Sequence, residues 1–104
     1  MTDRIQISAV AYHGNGVWVA QCLEYDIAAF ASSAADLPRA LDRAVAENLC
    51  VNVHLGRDGL DGIDPAPQHF RDMFEGETLP IARGKVTIEM ENPAVEIVDF
   101  RLAA

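Results

Sequence analysis

Apolar and polar positions alternate at the start of the chain. Over residues 4–12, Ile5, Ile7, Ala9 and Ala11 fall on one side and Gln6, Ser8, Val10 and Tyr12 on the other, the period of two that marks a strand. His13, Gly14, Asn15 and Gly16 follow, and Gly and Asn accept positive φ cheaply, so a hairpin is expected with the second strand antiparallel to the first. That strand begins at Val17. Val19 and Gln21 oppose Trp18, Ala20 and Cys22, and both faces are largely apolar, which predicts a position inside the sheet rather than at its edge. Residues 23–26 make an acidic link, and residues 27–31, rich in alanine, predict a short third strand. Alanine is a weak strand former, and its smallness lets a helix or a partner chain come close.

The period then changes to that of a helix. Leu37, Ala40, Leu41, Ala44, Val45, Leu49 and Val53 recur at three- and four-residue spacings and form one apolar stripe, with Arg39, Asp42, Arg43 and Glu47 facing water. Asp36 is suited to accept from the free amides of the first turn, and Pro38 is tolerated there. Ser33 offers a cap one turn earlier. Gly56 is the expected stop. Residues 57–68 are dense in Gly, Asp and Pro and predict an ordered loop. Residues 67–76 predict a short second helix whose Phe70, Met73 and Phe74 pin the loop to the core. Two strand candidates close the chain, at residues 86–91 and 95–102, separated by Asn92 and Pro93. The second is the better one to join the sheet, because Val98, Phe100 and Leu102 alternate with Asp99 and Arg101.

The expectation is therefore one α+β domain over residues 1–104: a three- to four-stranded antiparallel sheet packed against one long helix in the order β-β-β-α-β, with a short second helix and a C-terminal strand. A chain of 104 residues buries about 60–70 % of its unfolded surface, so neither metal nor disulfide is needed to fold it. Cys22 and Cys50 have no close-set partner motif and read as small buried hydrophobes. No apolar run reaches membrane-spanning length, and residues 1–10 lack a cationic run followed by an apolar one, so a cytoplasmic location and no membrane contact are expected.

Charge narrows the partners. Sixteen acidic against eight basic residues give a net charge of -8, and the basic residues are scattered, which disfavours direct contact with nucleic acid. Such a chain suits a basic partner, since complementary fields speed and orient encounter.

Trp18-Val19-Ala20 in the second strand, and Asp36-Leu37-Pro38-Arg39-Ala40-Leu41 at the helix start, carry a resemblance to the HicB-like antitoxin family. It spans residues 5–49. The usual Pro-Asp-Leu-Pro-Gly link of that family is replaced here by Cys22-Leu23-Glu24-Tyr25-Asp26, and no DNA-binding module is visible after Leu49. The resemblance implies an antiparallel sheet carrying one long helix, and a non-enzymatic surface that neutralises a small basic ribonuclease toxin.

Candidate chemistry is sparse. Glu24 and Asp26, two residues apart, would hold a metal only with a third carboxylate, as in the alternative of a small metal-dependent hydrolase or nuclease. Asp58, Asp61 and Asp64 recur every third residue, which is not the spacing of a calcium loop and fits Asx turns. His13, His54 and His69 show no helical metal spacing, and no serine or cysteine sits in a nucleophile elbow. No catalytic, cofactor or metal site is assigned. The expected role is protein binding and self-association as a homo-oligomer, with Trp18, Tyr25 and Phe30 as aromatic anchors and Glu24 and Asp26 as the acidic surface.

Overall fold

A computed structural model describes residues 5–80, 86–88 and 95–103. Strand β1 (Ile5–Gly14) turns through Asn15 and Gly16 into β2 (Val17–Cys22). Both turn residues have positive φ, 53° and 80°, the two-residue hairpin geometry that a right-handed strand twist favours. The pair is antiparallel, with Ala11 opposite Ala20 and Gly14 opposite Val17. Strand β3 (Ala28–Ala31) adds antiparallel to β2. A 3-10 turn (Ala34–Asp36) leads into helix α1 (Leu37–His54), and after a loop come helix α2 (Gln68–Glu75), β4 (Thr78–Pro80), β5 (Val86–Ile88) and β6 (Val95–Ala103). The sheet order is β3-β2-β1-β6-β4, with β5 also paired to β6.

The α+β class, the β-β-β-α-β order and the long helix on the sheet agree with expectation. The sheet, however, is mixed rather than wholly antiparallel, because β6 returns beside β1 in the parallel sense. β1 and β6 lie at opposite ends of the chain with both helices between them, so no tight turn obliges them to run antiparallel. β4, which the hydrophobic pattern did not indicate, pairs with the far side of β6. Residues 89–91 of the penultimate strand candidate, and the Asn92-Pro93 break, lie outside the described residues.

The register of β6 contains one further correction. Ile7 pairs with Ile97 but Ser8 pairs with Asp99, so Val98 is an extra residue in a bulge. Ile97 and Phe100 both enter the core as a result, while Val98 is 42 % exposed instead of sharing a face with Phe100 and Leu102.

α1 lies over the face built from Ile7, Ala9, Ala11, Ala20, Cys22 and Ala29. These small side chains form a shallow floor, and Leu37, Leu41, Val45 and Leu49 fill it. Each contributes about 1.5–3 kcal/mol by burial. Every four-residue step overshoots a full helical turn by about 40°, so after Leu49 a three-residue step is needed to return to the inner face. That step reaches Asn52, which is buried, and not Val53, which is 67 % exposed. The same phase puts Cys50 outside with Arg43 and Glu47, so only Cys22 is the buried cysteine that the sequence suggested. Asp42 is half-buried rather than fully solvated, and burial raises its carboxyl above the ordinary aspartate range.

At its start, α1 is capped differently from expectation. The Asp36 carboxylate accepts the Ser33 hydroxyl at 2.9 Å, and neither side chain takes a first-turn amide. At its end, Gly56 has φ 73° and its amide returns to the Val53 carbonyl at 3.1 Å.

α2 covers the opposite face, where Phe70 stacks on Tyr12 with ring centroids 6.0 Å apart and the Arg101 guanidinium lies 4.2 Å from the Phe74 centroid. Arg101 is also paired to Asp99 at 2.9 Å. The aromatic residues of α2 thus rest on Tyr12 and Arg101 of the outer sheet face and not on the core where their spacing placed them, and no residue of α2 is buried. Among the described residues no helix is long and apolar enough to cross a membrane.

Asn52 carries the loop that joins the two helices. Its side-chain amide donates to the carbonyls of Gly59 at 3.0 Å and Asp61 at 3.1 Å, and its own carbonyl accepts from the Arg57 amide at 2.8 Å. Replacing Asn52 with Ala strands two carbonyls beside the core and is expected to cost about 1–3 kcal/mol. Urea denaturation checks this. An Asn52→Ala protein as stable as the parent would show that the loop is held by other contacts.

Candidate functional site

The candidate site is the end of the sheet where β2 stops. β2 pairs with β1 as far as Cys22 opposite Ala9, and the chain then bends away. The Leu23 amide still reaches the Ser8 carbonyl at 2.9 Å. No backbone carbonyl is left to accept the Ser8 amide, and the Glu24 side chain does so instead, with Oε1 at 2.7 Å. Glu24 therefore completes the ladder where β2 ends, at the same residue where β6 bulges on the other side of β1. Asp26 has a similar duty. Its Oδ1 accepts Gln21 Nε2 at 3.0 Å, and the same Gln21 nitrogen also donates to the Cys22 carbonyl at 3.0 Å.

The link is then stitched to the loop that follows α1. The Asp26 amide donates to the Asp64 carbonyl at 2.6 Å, and the Ala66 amide donates to the Leu23 carbonyl at 3.0 Å. Leu60 is buried beneath this junction and Ile63 packs against the same core. Between these two backbone stitches sits Tyr25, packed on the core yet partly exposed. Its hydroxyl is shifted upward, first by burial and then by the negative charges of Asp61 and Glu24 and the nearby Cys22. Asp26, Asp61 and Asp64 are exposed. Of the loop aspartates, which the sequence assigned to turn chemistry, Asp61 thus comes close enough for its charge to act on Tyr25, and Asp64 meets Asp26 through the backbone. No sequence signal linked the two segments, because their meeting depends on main-chain bonds that any residue type can make.

The remaining sequence candidates are separated. Trp18 is half-buried against the core and tilts onto His13, with centroids 4.9 Å apart. Phe30, on β3, is 65 % exposed and lies apart from the acidic end. His54 is in the last turn of α1 and His69 rests on Phe70 of α2. Among the described residues no three His, Cys, Asp or Glu side chains are grouped closely enough to hold a metal ion.

Cys22 is chemically quiet. Burial, the dominant cause, and the adjacent Glu24 push its thiol up to about 12, against the smaller opposing effect of backbone hydrogen bonds. At neutral pH it is a protonated thiol and a poor nucleophile.

The role of Glu24 can be read from two substitutions. Glu24→Gln keeps an oxygen for the Ser8 amide and is expected to retain most stability, whereas Glu24→Ala leaves that amide unpaired and costs about 1–3 kcal/mol. Chemical denaturation of the two proteins side by side separates these outcomes. Equal stability for the alanine and glutamine variants would contradict a structural role for the carboxylate.

Comparison with protein-family models, with curated proteins and with solved structures found no match to this chain. A role for it must come from its own residues.

Proposed function

We propose that this chain is a non-enzymatic protein-binding module that holds a small basic partner against its acidic end, as the HicB-like resemblance of residues 5–49 implies. The observation that carries the reading is Tyr25, held in the link between the two backbone stitches and close enough to Asp61 and Glu24 to feel their charge. An aromatic side chain already ordered by its neighbours loses little entropy on binding, and aromatics dominate the energetics of interfaces. The surrounding carboxylates favour lysine and arginine on the partner and speed its approach. The chain as a whole, at net charge -8, adds to the same field.

The hydrolase alternative has less behind it. Glu24 is committed to the Ser8 amide and Asp26 to Gln21, so the two carboxylates that would hold a metal already serve as acceptors within the fold. Among the described residues no third carboxylate, histidine or cysteine is grouped with them closely enough to complete a metal site.

The test uses the small basic ribonuclease-like protein that the resemblance implies as partner, taken as the product of an adjacent reading frame. Co-expression is expected to give a stable complex on gel filtration and to relieve the growth arrest caused by the partner. Asp61→Lys with Asp64→Lys changes side chains only, because both residues hold the loop through their carbonyls. The pair of substitutions should weaken the complex by about tenfold or more at physiological salt, where close charge pairs are still felt. Absence of a complex, or an affinity unchanged by the double substitution, would overturn the reading.

A further inference from the structure

Among the described residues β3 is an outer strand of the sheet, paired only to β2. The hydrogen-bonding phase follows from the Cys22 amide donating to the Ile27 carbonyl at 2.9 Å. In an antiparallel ladder every second residue bonds inward, so Ala29 and Ala31 face β2 through their amides while Ala28 and Phe30 direct N–H and C=O away from the sheet. Such an edge is a template for one more strand, and natural proteins blunt it with lysine, proline or a covering loop. Ala28, Ala29, Phe30 and Ala31 include neither lysine nor proline.

Beside this edge runs a groove of about 310 Å³ between β3 and the first turns of α1. Its lining includes Phe30, Ala31, Ser32, Asp36, Arg39 and Arg43. Arg39 and Arg43 are four residues apart on one exposed face of the helix, and among the described residues neither enters an ion pair. Asp36, the only carboxylate among the described residues that line the groove, is engaged by the Ser33 hydroxyl. In a chain with twice as many acidic as basic residues, the strand edge is thus flanked by local positive charge.

We propose that the β3 edge and this groove bind an extended acidic segment of a partner protein by strand addition. The segment pairs its backbone with Ala28 and Phe30. Alternate side chains reach the two faces of the extended sheet: carboxylates on the α1 side meet Arg39 and Arg43, and apolar residues on the other side cover the exposed Phe30 ring. A second copy of this chain suits the site less well. Two β3 strands paired about a twofold axis would set the two Arg39 and Arg43 pairs against each other, with guanidiniums outnumbering the Asp36 carboxylates. This surface is separate from the acidic end around Tyr25, and its chemistry is opposite.

The experiment is a titration of the isotopically labelled full chain, followed by NMR, with an end-blocked peptide of alternating valine and glutamate and with its valine-lysine counterpart. The glutamate peptide is expected to bind saturably, to shift resonances at Ala28, Phe30, Arg39 and Arg43, and to bind about tenfold more tightly than the lysine peptide. N-methylation of its alternate amides, which blocks strand pairing without changing charge, should abolish binding. Arg39→Glu with Arg43→Glu, both on the solvent face of the helix, should reverse the preference. Equal binding of the two peptides, shifts confined to other surfaces, or unimpaired binding of the N-methylated peptide would overturn the proposal. So would a dimer of the free chain, broken by Phe30→Pro, that the glutamate peptide does not dissociate, since a second copy would then own the edge.

Discussion

Two backbone hydrogen bonds, from the Asp26 amide to the Asp64 carbonyl and from the Ala66 amide to the Leu23 carbonyl, hold together the parts of this molecule on which its proposed role depends. Each is worth only about 0.5–1.5 kcal/mol net when made, but a buried amide or carbonyl left without a partner costs more than that. Of the four residues only Leu23 is buried, so its stitch to Ala66 carries the larger cost of opening, while the one between exposed Asp26 and Asp64 holds the loop beside it. Asn52 fixes the near part of the loop, Leu60 anchors its middle in the core, and the stitches fix its far part against the β2–β3 link. A segment rich in glycine and aspartate, with little burial of its own, is ordered by this arrangement.

The same arrangement sorts charge. Asp61 and Glu24 set negative charge near Tyr25 at the stitched end, while Arg39 and Arg43 flank the free edge of β3. Screening at physiological ionic strength acts over about 8 Å, so each patch is felt locally, and the net charge does not decide what every part of the surface attracts. The two proposed partners, one basic and one acidic, would therefore meet different regions of the surface.

Much of the fold was legible because local chemistry and tertiary packing agree. Asn15 and Gly16 specify the hairpin, the alternation from Ile5 to Tyr12 specifies the two faces of β1, and Leu37, Leu41, Val45 and Leu49 specify the buried side of α1. Legibility ended where long-range geometry took over. The parallel pairing of β6 with β1 and the bulge at Val98 depend on where the chain has travelled, and the exchange of Val53 for Asn52 depends on the accumulated phase of the helix. Cys50 was misplaced for that same reason. Of the candidate residues, Glu24, Tyr25 and Asp26 share the β2–β3 link, while Phe30 is exposed on β3 and Trp18 is half-buried against the core. That Glu24 substitutes for a missing strand partner was not readable, since it follows from β2 bending away one residue before the Ser8 amide is satisfied.

The stitched junction is tested most directly by hydrogen exchange of individual backbone amides under native conditions. The amides of Asp26 and Ala66 should be protected to a degree approaching those of the β1–β2 ladder, because opening either one detaches the loop from the core. Exchange at Asp26 and Ala66 as fast as that of an exposed, unbonded amide would mean that the loop is not held there, and that Asp61 is not kept near Tyr25.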